Sequence, residues 1–148
     1  MTTRVVVAGI GNAFRRDDGA GPAVARVVAA STGAVDIGPI GEPLDLLGRW
    51  DAADLAVLVD ATRSDAAAGT VRLVDLGDAV YRSSQSTHAI GLDRVVRLAQ
   101  VLRRAPARVV VVGIEGEDFS DGEGLSPAVG DAVPAAARRI AELIAEAS

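Results

Sequence analysis

The chain contains no cysteine, which removes disulfides, thiolate catalysis and every thiolate-bound metal centre at once. It contains no lysine either. All 15 basic residues are arginine, and beside the abundance of alanine this reads as a bias of genome composition rather than a device. Aromatic residues make up only 3%, so the interior has to be built from Val, Leu, Ile and Ala. A single histidine, His88, confines imidazole chemistry to one position. Positive charge is scarce and scattered: the net charge is −5, and no basic stripe offers itself to nucleic acid. The opening MTTRVVVAGIGN stays apolar for only a few residues, which fits neither a secretion signal nor a membrane span, so the cytoplasm is the expected location.

What is present argues for a folded chain. Hydrophobic residues reach 49% against 24% charged, and 148 residues suffice for one domain, 1–148, with a substantial core. Continuous β-branched runs mark strands buried on both faces, as in a parallel sheet covered by helices. Such runs occur at Val5–Ala8, Leu55–Val59 and Val109–Val112, with weaker candidates at Ala34–Ile37 and Thr70–Leu76, the last an edge strand.

Helical spacing fills the intervals. Leu92, Val95, Val96, Ala99 and Leu102 form one apolar stripe, and Val129, Val133, Ala136, Ala137, Ile140, Leu143 and Ile144 form another. Ser126-Pro127 supplies a cap and a first-turn proline for the second, whereas Pro134 is expected to kink or split it. A helix over Asp18–Ser31 and a short one over Leu44–Trp50 complete the series. The expected architecture is a three-layer α/β/α sandwich around a mostly parallel sheet of about five strands.

Ligands of such sheets bind beyond the carboxyl ends of the strands. The first strand delivers Gly9, Gly11, Asn12, Asp17 and Asp18 there, within GIGNAFRRDDGAG. The Leu55–Val59 run delivers Asp60, in VLVDATRS, and SSQSTHAIGLD brings His88 to the start of the next helix. Singly, each has an ordinary reading as a cap, a turn residue or a surface polar group. Together, two carboxylates and an imidazole from three loops match a site for an intermediate divalent metal such as nickel, zinc or iron, with positions left open for water or substrate. Neighbouring helical side chains diverge by about 100°, so Asp17 and Asp18 do not both face one ion. A nucleotide loop is disfavoured: Phe14 replaces the third glycine, and paired acids oppose a pyrophosphate. No Gly-x-Ser-x-Gly elbow is present to support a serine hydrolase.

Four segments in order, GIGNAFRRDDGAG, LDLLGRWDAADLAVLVDA, STHAIGLDRVVRLA and VVVVGIEG followed by GEGLSPAV, resemble the [NiFe] hydrogenase maturation proteases. The resemblance implies an aspartic-type endopeptidase that removes the C-terminal extension of a hydrogenase large-subunit precursor after nickel insertion. It also implies that nickel arrives with the substrate, with no tightly held metal in the enzyme. The family's metal site falls on Asp18, Asp60 and His88, which would also be catalytic. Gly9, Gly11, Asn12 and Asp17 are expected to let a substrate chain approach, and a monomer is expected. Gly116 stands where the family often has proline, and Glu42 where it often has glycine; neither is expected to touch the site. A non-cutting, nickel-checking chaperone with the same pocket and, less favoured, a nucleotide-binding domain are the alternative readings.

Overall fold

The computed structural model describes residues 3–76 and 89–147. Five strands form one sheet: β1 (Val5–Ile10), β2 (Val35–Asp36), β3 (Leu55–Thr62), β4 (Val71–Asp75) and β5 (Arg108–Glu115). Their spatial order is β2-β1-β3-β5-β4. β1 runs parallel to β2 and β3, and β3 parallel to β5, while β4 lies antiparallel on the outer edge of β5. Every residue of β1 is buried, as are seven of the eight in β3 and in β5. That is the burial which unbroken valine runs demand. The edge strand β4 is only half-buried, and Val71, Leu73 and Asp75 alternate with Arg72 and Val74 along it.

Helices α1 (Ala20–Ser31) and α3 (Pro127–Ala147) pack on one face of the sheet, and α2 (Ala89–Val101) on the other. Odd-numbered residues of β3, Leu55, Val57, Val59 and Ala61, meet the α1/α3 layer. The even-numbered Ala56 and Leu58 meet Leu92, Val95, Val96 and Ala99 of α2 and the buried Trp50. This two-residue alternation places Asp60 on the α2 face. Two expectations change at helix level. The Leu44–Trp50 helix is a single 3-10 turn, Pro43–Leu46. The last helix is not split at Pro134, which lies within it. Proline removes one backbone hydrogen bond, and buried Val129 and Ala132 before it and Ala136, Ala137 and Ile140 after it hold the helix to the sheet.

The strand order also locates the site. From β1 the chain turns outward to β2 and then returns past β1 to β3, so the crevice at the carboxyl ends of β1 and β3 is the topological switch point where ligands bind in open α/β sheets.

Candidate functional site

Asp60 lies in β3 opposite Ile10 of β1 and Gly113 of β5, and only 1% of its surface is exposed. Beyond Ile10 the chain passes Gly11 and Asn12 and forms a 3-10 turn, Arg16–Gly19, that carries both acids of the opening motif. Adjacent side chains on such a turn diverge by about 120°, and the two aspartates part accordingly.

Asp17 is fully buried and turns toward the loop after β5. Its carboxylate accepts hydrogen bonds from the amides of Glu117 (2.9 Å), Asp118 (3.0 Å) and Ser126 (2.7 Å) and from the Ser126 hydroxyl (2.8 Å). Burial alone would raise its pKa, but the amides of Glu117, Ser126 and Asp118 and the Ser126 hydroxyl together outweigh it and hold the carboxyl below its usual value. Backbone bonds tie the same two loops: Arg16 N–H to the Gly122 carbonyl (3.0 Å), Gly122 N–H to the Phe14 carbonyl (2.8 Å) and Asp17 N–H to the Asp118 carbonyl (2.9 Å). The expectation that Asp17 meets substrate is therefore corrected. Its oxygens are engaged inside the protein.

Asp18 keeps 7% of its surface exposed and borders a cleft of about 70 Å³, together with Arg15, Ala61, Arg63 and Phe119. The amide of Asn12 donates to Asp18 Oδ2 at 2.7 Å, and the Asn12 side-chain oxygen accepts from the Phe14 amide at 2.9 Å. Asn12 is itself exposed, and its backbone orients the acid. The opening glycines act differently from the expected role of admitting a substrate. The space beside Gly9 is taken by Pro22 of α1, whose N would lie 2.3 Å from an added Cβ. Gly11 has φ +135, and a Cβ there would fall 2.0 Å from the Asp18 carbonyl oxygen. Both glycines bring this chain's own backbone together.

The geometry brings Asp18 and Asp60 to neighbouring strand ends at the switch point. His88 lies outside the described residues, and α2 begins at the next residue, Ala89, on the sheet face that Asp60 shares. Among the described residues no group of three or more histidine, aspartate or glutamate side chains is placed to hold a metal ion. Two carboxylates alone make an incomplete set for nickel, and an imidazole is the donor type that would complete it.

Several residues at this edge escape sequence reasoning. Glu115, at the end of β5, is 4% exposed and accepts from the Thr62 hydroxyl (3.0 Å), the Ser64 amide (2.6 Å) and the Ser64 hydroxyl (2.8 Å). An acid closing an otherwise apolar buried run was the available signal, as it was for Asp60. Between the two residues that Glu115 holds stands Arg63, whose guanidinium lies 4.4 Å from the centre of the Phe119 ring. Gly116 borders none of the proposed site carboxylates but packs against Phe119, which lines the cleft. Its missing side chain makes room for the Phe119 ring, 2.6 Å from where a Cβ would be. Among the described residues no helix is long and apolar enough to cross a membrane.

Comparison with known proteins gives this arrangement a context. The fold matches the [NiFe] hydrogenase maturation protease HybD from Thermococcus kodakarensis with a TM-score of 0.81 at 24% identity, covering 95% of this chain and 99% of that one. It matches the hydrogenase maturating endopeptidase HybD from E. coli with a TM-score of 0.79 at 24% identity, covering 99% and 94%. For the [NiFe] hydrogenase maturation protease HycI from T. kodakarensis KOD1 the TM-score is 0.74 at 26% identity, covering 95% and 91%. No curated protein matches by sequence. The sequence profile of the hydrogenase maturation protease family, HycI, matches residues 34–143. Since that span holds most of the sheet and ends within α3, the chain belongs to the hydrogenase maturation proteases.

Proposed function

We propose that this protein is the endopeptidase that trims the C-terminal extension of a [NiFe] hydrogenase large-subunit precursor, and that it recognises the nickel already seated in that substrate. The observation that carries the reading is the pair of buried carboxylates at the switch point, Asp60 near the end of β3 and Asp18 on the turn after β1, with Asp18 bordering an open cleft. Taking a carboxylate out of water is unfavourable unless a cation or hydrogen-bond donors compensate. Among the described residues Asp18 has one donor, the Asn12 amide, and it keeps an edge on the cleft. Asp18 and Asp60, completed by His88, form a donor set suited to nickel. Metal occupancy of the substrate then becomes the licence to cut.

In this reading the ion is part of the substrate and polarises the region near the scissile bond. A water oxygen attacks the peptide carbonyl carbon while Asp18 or Asp60 takes the proton from that water. The same carboxylic acid returns the proton to the amine nitrogen as the carbon–nitrogen bond breaks. Burial at the crevice keeps bulk water from competing for the proton.

The test is processing of a nickel-loaded precursor, read by mass spectrometry. The expected product is a precursor shortened at its C-terminus, with no shortening when nickel is withheld. His88→Ala, Asp18→Asn and Asp60→Asn should each stop processing while circular dichroism retains the native spectrum. An unchanged precursor mass with the wild-type protein, alongside measurable binding, would identify a nickel-checking chaperone instead.

A further inference from the structure

The cleft beside Asp18 contains two cationic groups for which the proposed chemistry has no use. Arg15 and Arg63 line it from opposite loops, and neither side chain forms an ion pair or hydrogen bond among the described residues. Surface arginines without partners are commonplace when they sway in solvent; here the Arg63 guanidinium is stacked on a ring, and Arg15 extends from a hydrogen-bonded turn.

Arg63 is held at three points. Its neighbours Thr62 and Ser64 are both bonded to the buried Glu115 carboxylate. Its guanidinium is stacked on Phe119 at 4.4 Å, inside the range of a cation–π contact. Phe119 is in turn seated over Gly116 and belongs to the loop that Asp17 anchors. Stacking uses the flat face of the guanidinium and leaves its N–H edge for a partner. Arg15 is fixed through its backbone, with its amide bonded to the Asn12 carbonyl (3.0 Å) and its carbonyl accepting from the Asp18 amide (3.0 Å).

We propose that Arg15 and Arg63 form an anion subsite that receives a carboxylate of the substrate polypeptide, an Asp or Glu side chain or the chain terminus. The inference rests on the peptidase reading of the same cleft and adds a determinant of which tails are accepted. Arginine presents a planar fork matched to a carboxylate, and the cleft volume of about 70 Å³ accommodates a group of that size. Because Arg63 is held in place beforehand, little side-chain entropy is lost on binding. The arrangement also separates opposite charges. Asp18 disfavours an anion next to itself and favours the cation, so the ion and the carboxylate of one substrate take up neighbouring positions in a fixed order. The subsite acts as a ruler as well as an anchor.

The test uses three dye-labelled octapeptides and the full-length protein at low salt, with binding followed by fluorescence anisotropy. One peptide carries a single aspartate and an amidated end, one carries asparagine and a free terminal carboxylate, and the third carries asparagine and an amidated end. The neutral peptide should bind about tenfold more weakly than at least one acidic peptide, as expected for loss of a charge-assisted hydrogen bond. Which acidic peptide gains identifies the source of the carboxylate. Arg63→Gln and Arg15→Gln should each erase most of the difference, Arg63→Lys should restore only part of it, and Arg138→Gln, on the exposed side of α3, should leave it intact. In processing assays Arg63→Gln should raise KM and leave kcat nearly unchanged.

Equal binding of all three peptides, no binding of any, or discrimination that survives both glutamine variants would overturn the subsite. Cleavage is scored separately. A protein that prefers acidic peptides but never trims precursor sinks the peptidase reading alone, and one that trims acidic and neutral tails equally well sinks this one alone.

Discussion

Asp17 and Ser126, separated by 109 positions in sequence, are joined twice: the Ser126 amide and hydroxyl both donate to the Asp17 carboxylate. With the amides of Glu117 and Asp118, these bonds fasten the loop after β5 to the loop after β1. Asp18 and Phe119 project into the cleft from the two loops so joined.

Replacing this carboxylate is expected to be severe, and the isosteric amide should not rescue it. In Asp17→Asn the new NH2 group would face either the Ser126 amide or the amides of Glu117 and Asp118, and donors cannot pair with donors. We expect both Asp17→Asn and Asp17→Ala to lower stability by about 2–4 kcal/mol, the penalty for buried donors left unsatisfied. Urea unfolding monitored by circular dichroism measures this directly.

The same group predicts acid sensitivity. Its folded pKa lies below the ordinary value of 3.8, because hydrogen bonds to the ionised form outweigh burial. The unfolded chain therefore binds the proton more readily than the native one. The stabilisation is complete above the unfolded value and is lost as pH falls through the lower, folded value. Unfolding free energy should drop below about pH 4 in the wild type, with a flatter drop in Asp17→Asn. Equal slopes for the two proteins would remove Asp17 as the cause.

Glu115 offers the contrast. One oxygen accepts from the Ser64 amide and the other from two hydroxyls, those of Thr62 and Ser64. Hydroxyls can reverse and accept, so Glu115→Gln can keep its oxygen on the Ser64 amide and donate to the hydroxyls from its nitrogen. We expect a loss of under about 1 kcal/mol for Gln and about 2–3 kcal/mol for Ala. Thermal melts of the two variants separate these outcomes.

Gly11 and Gly33 form a backbone pair for testing. Gly11→Ala would force a side chain into a left-handed position and within 2.0 Å of the Asp18 carbonyl oxygen, whereas a Cβ at Gly33 meets nothing within 4 Å. Gly11→Ala should cost more than about 2 kcal/mol and impair processing. Gly33→Ala should stay within about 0.5 kcal/mol of wild type.

Much of the fold was legible because β-branched runs as dense as VVVV have few stable solutions other than a strand covered on both faces. Strand ends were legible too, since glycine or aspartate closes each main run, and this led to Asp18 and Asp60. What stayed hidden was the division between Asp17 and Asp18. Two adjacent acids look alike in sequence, and the donors that claim Asp17 stand at 117, 118 and 126, beyond any local pattern. Arg63 was hidden for a similar reason. Its significance comes from Phe119, a residue brought near only by the register of β3 against β5. Pro134 does not split its helix, because the buried apolar stripe on either side of it outweighs the one hydrogen bond that proline removes.

The partition of the acid pair has a practical bearing on how this enzyme family is dissected by mutagenesis. Loss of activity after changing either aspartate would rank the two as equally indispensable in a phenotypic screen. Soluble yield is expected to distinguish them: a scaffold lesion at Asp17 should deplete the protein itself, whereas under the proposed role of Asp18 a lesion there should leave a well-folded but idle one.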